Sequence, residues 1–113
     1  MRTKDRKDLF PGALEMMILQ TLKRQPLHGY ALVQHIKQTS RDLLQIEEGS
    51  LYPALQRMLK EGWVKANWTV SGSGRRVRVY ELTPAGGKHL EREVSDFERM
   101  LEGIRLVLSL GKL

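Results

Sequence analysis

The chain has 113 residues and a mass of 13.0 kDa, which leaves room for one small hydrophobic core. Nineteen Lys and Arg oppose thirteen Asp and Glu, a formal net charge of +6, and this balance favours a polyanionic partner or an acidic membrane surface. Cysteine is absent, so disulfides and thiolate zinc sites are excluded.

Residues 1–8 are too polar for a signal peptide, and no run approaches the roughly 20 apolar residues of a membrane helix, so a soluble, cytoplasmic protein is expected. The basic residues there, Arg2, Lys4, Arg6 and Lys7, could reach along DNA, but Asp5 and Asp8 dilute them and a disordered, solvated tail is expected. Pro11 and Gly12 open a first helix that reaches about Arg24, with Leu14, Met17, Ile18 and Leu22 at helical spacing and Gln25-Pro26 as its stop. A second helix begins near Leu27 or His28 and turns Leu32, Val33 and Ile36 inward, before a polar stretch over residues 38–42.

Residues 48–62 predict a third helix with two unlike faces. Leu51, Leu55, Met58 and Leu59 gather on one side of the helical wheel, while Ser50, Pro53, Gln56, Arg57 and Lys60 gather on the other. The first face needs a core; the second carries hydroxyl, amide, guanidinium and ammonium groups in one row, the inventory that touches phosphates and base edges. Pro53 is expected within the first turn, where a missing N–H has no intrahelical acceptor to lose.

A period of two follows: Val64, Ala66, Trp68 and Val70 alternate with Trp63, Lys65, Asn67 and Thr69. Ser71-Gly72-Ser73-Gly74 makes a turn, and a second strand runs from about Arg76 to Leu82, with Tyr80 and Leu82 packing back onto the helices. A two-faced helix followed by a hairpin bearing Arg75, Arg76 and Arg78 is the pattern of a winged helix-turn-helix. Thr83-Pro84 is an N-cap and an N1 proline. In the helix it opens, Leu90, Val94, Phe97, Leu101, Ile104 and Leu108 step by four, three, four, three and four, a heptad seam. Such a stripe packs either on the chain's own helices or on a second copy, and a two-fold dimer is expected, because readers of DNA this small gain affinity from two half-sites. Gly103 interrupts the seam at about 1 kcal/mol relative to alanine.

The expected fold is therefore mainly α with a small β-hairpin (α+β): an N-terminal arm and winged helix-turn-helix over residues 1–83, then a C-terminal dimerisation helix over residues 84–113. Catalysis has no constellation to rest on. His28, His35 and His89 lack metal-ligand spacing, no serine lies in a nucleophile elbow, and Gly72 to Gly74 is a hairpin turn and not a phosphate cradle. His28 reads as a hydrogen-bonding residue at a helix start. No enzyme, cofactor or metal is expected.

The chain resembles the PadR family of transcriptional regulators, of the small type with a single C-terminal helix. The resemblance is carried by Pro26-Leu27-His28-Gly29-Tyr30, by Glu48-Gly49-Ser50-Leu51-Tyr52-Pro53-Ala54-Leu55, and by Arg75-Arg76 with Tyr80-Glu81-Leu82-Thr83-Pro84-Ala85-Gly86; Glu47 through Leu55 and Gly62-Trp63-Val64 are most similar to an acidobacterial branch. It implies a homodimeric, nucleoid-associated repressor on an inverted-repeat operator of double-stranded DNA, released by a small molecule or an upstream signal.

The DNA-facing residues it implies are Tyr30, Ser50, Tyr52, Pro53, Gln56 and Arg57 from the helices and Arg75, Arg76 and Arg78 from the wing. Gln56 and Arg57 would read base edges, each good bidentate pair contributing about 1–3 kcal/mol of discrimination. The wing arginines would hold phosphates or enter a minor groove. Ser50 and backbone N–H groups near the helix start would hold a phosphate, and Tyr52 would either touch one or cap the core. The chain departs from relatives that sandwich planar drugs between tryptophans at the dimer interface, since its last helix has Phe97 and no tryptophan. The alternative is a winged-helix module that docks a protein through its last helix, with an incidental basic face.

Overall fold

A computed structural model of the chain describes residues 12–110. The elements run α1 (Ala13–Arg24), β1 (Leu27–His28), α2 (Gly29–Thr39), α3 (Glu48–Glu61), β2 (Val64–Val70), β3 (Arg76–Leu82) and α4 (Pro84–Leu110). The basic arm expected over residues 1–8 lies outside the described residues.

Local chemistry sets most of the boundaries. Pro26 disfavours helical backbone at Gln25, which is extended and ends α1. His28 caps α2, its Nδ1 accepting the Ala31 N–H at 3.3 Å. Between α2 and α3 the chain reverses through Arg41 and Asp42, both left-handed with φ of 54° and 65°. Three backbone hydrogen bonds, Arg41 to Gln38, Asp42 to Lys37 and Leu43 to Ser40, hold that turn. Gly62, at φ 79°, closes α3, and the next N–H, of Trp63, returns to the Met58 carbonyl at 3.0 Å.

Pro53 does not lie in the first turn of α3. The helix begins at Glu48, so Pro53 is one residue into the second turn, and the Gly49 carbonyl loses the donor that residue 53 would supply. Gly49 is exposed, so water can serve that carbonyl.

The sheet has the order β1-β3-β2, antiparallel throughout. β2 and β3 pair from Val64↔Leu82 to Val70↔Arg76, as a hairpin. The two-residue β1 adds Leu27↔Tyr80 and His28↔Val79. Two residues are too few for a period of two to reveal, and β1 occupies the place where α2 is expected to begin.

Ile18 and Leu19 of α1, Leu32 of α2, and Leu51, Leu55 and Met58 of α3 are fully buried together. Each such side chain contributes about 1.5–3 kcal/mol by leaving water. Val64 and Tyr80 close the core from the sheet.

The division expected between residues 83 and 84 is not a boundary in the packing. The Thr83 hydroxyl accepts the Gly86 N–H at 3.0 Å and donates to the Gly62 carbonyl at 2.6 Å, while the Thr83 N–H donates to the Trp63 carbonyl at 3.1 Å. Trp63 stacks on His89 with centroids 3.6 Å apart. Leu90, expected on the dimer seam, is 2% exposed inside the chain's own core, and Val94 packs against that core. The heptad spacing is continuous, but its first steps face α1, and the uncovered stretch begins only at the half-buried Phe97 and Leu101. Ile104 and Leu108 are exposed, and so is Met100 beside them.

Gly86 is buried, and a Cβ there would meet the Trp63 carbonyl oxygen and the Leu82 side chain. A backbone oxygen cannot swing aside as a flexible side chain can. Gly86→Ala is expected to destabilise the fold by about 3 kcal/mol, read as a lower urea midpoint.

Candidate nucleic-acid interface

Packing decides which side of α3 is free. With Leu51, Ala54, Leu55 and Met58 turned to the core, Ser50, Tyr52, Pro53, Gln56, Arg57 and Lys60 are all exposed, as the wheel predicts. Two of them have partners that spacing did not reveal.

Arg57 reaches back to α1: its Nε and Nη2 donate to Glu15 Oε2 at 3.1 and 2.7 Å. The expected base reader is thus held on the α1 side of the row. Tyr52 leans across the start of α2, with its Oη and Cε1 only 2.8 and 3.0 Å from where a Cβ on Gly29 would sit. Gly29 in the His28-Gly29-Tyr30 motif therefore makes space for the ring. Both roles weighed for Tyr52 are compatible with this placement, because the ring covers Gly29 while 42% of the residue remains exposed. Partial burial, followed by the Glu48 carboxylate, pushes the Tyr52 phenol above its ordinary pKa, and the ring presents a neutral O–H at pH 7.

Tyr30 is exposed in the first turn of α2 and accepts from Gln34 Nε2 at 2.7 Å. Ser50 offers its hydroxyl, but not its backbone N–H, which already donates to the Glu47 carbonyl at 2.9 Å together with that of Leu51 at 3.0 Å. The phosphate grip expected from N–H groups at this helix start is reduced accordingly.

The hairpin supplies the remaining cations. Its turn is held by Ser71 N–H to the Arg75 carbonyl at 2.8 Å and Gly74 N–H to the Ser71 carbonyl at 2.9 Å, with Gly74 at φ 85°. Arg75 and Arg76 are exposed beside the turn. Arg78 is half-buried, its guanidinium 5.8 Å from the centroid of the Tyr80 ring. Gln56, Arg57, Leu59 and Lys60 of α3 and Arg78 of β3 line one concave surface where recognition helix and wing meet. Lys60, a member of the polar row without an expected contact of its own, thus joins Arg78 at the junction. Between Gly62 and Tyr80 there is no acidic residue, while Lys65, Arg75, Arg76 and Arg78 are all cationic.

Residues 18–92 match the family model described as the transcriptional regulator PadR-like family. The chain belongs to this family. PadR-like regulators are not enzymes. The chain is 32% identical over 89 residues to the transcriptional regulator Rv3488 of Mycobacterium tuberculosis, covering 79% of each. It is similar to a transcriptional regulator structure from Clostridium thermocellum, with a TM-score of 0.78 and 26% identity over 84% of this chain and 92% of that one. The negative transcriptional regulator PadR of Bacillus subtilis is 26% identical over 77 residues, 68% of this chain and 42% of PadR. The structure of Bacillus subtilis PadR in complex with operator DNA shares the fold, with a TM-score of 0.66 and 24% identity over 73% of this chain and 46% of that one.

Among the described residues no helix is long and apolar enough to cross a membrane, and no group of three or more His, Asp or Glu is placed to hold a metal ion. Arg57 is 59% exposed and Glu15 21%, so solvent screens their ion pair. A double-mutant cycle with Glu15→Gln and Arg57→Met is expected to give a coupling of about 0.5 kcal/mol in urea unfolding. A coupling several times larger would make Arg57 a structural residue.

Proposed function

We propose that this PadR-like regulator is a homodimeric repressor that binds an inverted-repeat operator, with α3 in the major groove and the β2–β3 wing on the flanking backbone. The observation that carries this reading is the continuity of the exposed α3 row with a wing whose single acid, Glu81, pairs with Lys65 and leaves Arg75, Arg76 and Arg78 in excess, across the concave surface at Lys60 and Arg78. The operator complex and the negative regulation belong to Bacillus subtilis PadR and support the same reading here. The same proposal has the protein act in the cytoplasm, at the nucleoid.

In this proposal Gln56 and Arg57 read base edges, Tyr52 and Ser50 donate to phosphates, Tyr30 adds a contact from α2, and Pro53 keeps the centre of the row flat for close approach. Arg57 must exchange Glu15 for a base edge, which is cheap because the arginine end of the pair is 59% exposed and screened by solvent. Arg75, Arg76 and Arg78 hold the backbone. A second copy covers the uncovered part of the seam, at Phe97, Leu101, Ile104 and Leu108. Release by a small molecule is part of the same proposal, without a pair of α4 tryptophans to receive a planar ligand.

The test is binding to DNA spanning the gene's own upstream promoter, compared with an unrelated duplex of equal length across a salt series. A preference of about a hundredfold that persists near physiological salt is the expected result; weak, equal binding that disappears with salt would refute specific recognition of that promoter. Arg57→Ala is expected to relax operator discrimination by about tenfold. Arg75→Ala with Arg76→Ala should weaken binding to every duplex and reduce the salt slope by about two. Phe97→Glu is expected to give a folded monomer by sedimentation and circular dichroism, with the operator affinity lost; a dimeric Phe97→Glu protein would place the interface elsewhere.

A further inference from the structure

The outer end of the wing carries an exposed tryptophan that neither the fold nor the assigned contacts require. Directly opposed residues of an antiparallel pair share a face, so Trp68↔Arg78 and Val70↔Arg76 stand on the same side as Ala66↔Tyr80 and Val64↔Leu82. At the base of the hairpin that side is the core, where Val64 and Tyr80 are each 2% exposed; at the tip it is open, with Trp68 59% and Val70 64% exposed. Arg76, diagonal to Trp68, lays its guanidinium over the indole at 4.7 Å from the centroid. The next arginine on the face, Arg78, lines the concave surface with Gln56 and Lys60 of α3. One strip therefore runs from the recognition helix through Arg78 to the Trp68–Arg76 stack.

We propose that Trp68 is a DNA-contacting and positioning residue of the wing. One side of its indole holds the Arg76 guanidinium flat, with the N–H edge free to donate to a phosphate, and its remaining exposed surface packs on the adjoining deoxyribose–phosphate backbone. The inference rests on the DNA-binding reading above. The occupant is a DNA duplex because the hairpin's one acid, Glu81, pairs with Lys65 on the opposite face, so the Trp68 face carries Arg76 and Arg78 and no carboxylate, which suits a polyanion and repels a basic protein surface. Restricting Arg76 before binding removes part of the ordering cost that a free arginine would incur on the backbone. Among the described residues Arg75, in the turn, lies over no aromatic ring, so the two neighbouring arginines are held differently.

The experiment measures binding of the full chain to a mixed-sequence duplex a few helical turns long, at low salt, for the wild type, Trp68→Ala, Trp68→Phe, Arg76→Ala and the double variant Trp68→Ala/Arg76→Ala. Trp68→Ala is expected to weaken binding about fivefold with an unchanged melting temperature. Trp68→Phe should recover most of that loss, because a ring remains under Arg76. The double variant should bind more tightly than the product of the two single losses implies, since both act through one stack. Duplex should also quench the tryptophan emission of the wild type and leave that of Trp68→Phe, which reports only Trp63, nearly unchanged. Wild-type-like binding by Trp68→Ala overturns the inference while leaving the DNA reading intact. A change of self-association in Trp68→Ala without loss of DNA binding also overturns it and assigns the tip to a protein contact. Failure of the wild type to bind any duplex overturns the DNA reading and this inference with it.

Discussion

The geometry of this regulator depends on one small junction, where the end of α3, the start of β2, the end of β3 and the start of α4 meet around the backbone of Gly62 and Trp63. Thr83 bonds to both of those carbonyls and caps α4 with the same hydroxyl, Gly86 lets α4 approach closely, and His89 stacks on Trp63. A recognition helix, a wing and a helix proposed to dimerise must hold fixed angles to one another if two half-sites are to be read at once. Here all three angles are set within a few residues, by short hydrogen bonds and a glycine that admits no side chain.

That arrangement separates rigid parts from adjustable ones. The buried face of α3 and the junction hold the helix, so its exposed row moves as a unit. The exposed basic side chains are held more loosely: Arg57 by a solvent-screened carboxylate and Arg76 by the face of an indole. Weak intramolecular partners keep long basic side chains ordered without making their transfer to phosphates or bases expensive.

The C-terminal helix shows the limit of reading a stripe as an interface. A heptad says that one face of a helix is to be covered; it does not say by what. Along α4 the covering changes on the way: Leu90 and Val94 belong to the chain's own core, Phe97 and Leu101 are half-covered, and Ile104 and Leu108 are exposed. The same seven-residue pattern thus serves two kinds of contact, one intramolecular and one proposed between copies, because the winged domain is shorter than the helix that crosses it.

What the sequence determined by itself is everything that depends on near neighbours: the helical stripes of α1 to α4, the His28 and Thr83 caps, the two-residue alternation of the hairpin, the split between buried and polar faces of α3, and the family through its short motifs. What only the tertiary structure decided depends on residues far apart in the chain. β1 exists because Leu27 and His28 meet β3, Arg57 has Glu15 as a partner 42 positions away, Tyr52 rests on Gly29, and Pro53 falls one residue beyond the first turn because α3 starts at Glu48. Leu90 and the Trp68–Arg76 stack follow the same rule. Periodicity and capping are properties of a segment's own backbone, so they can be read from one window of sequence; a side chain's partner is set by which segments the core brings together, and no single window contains both halves of that contact.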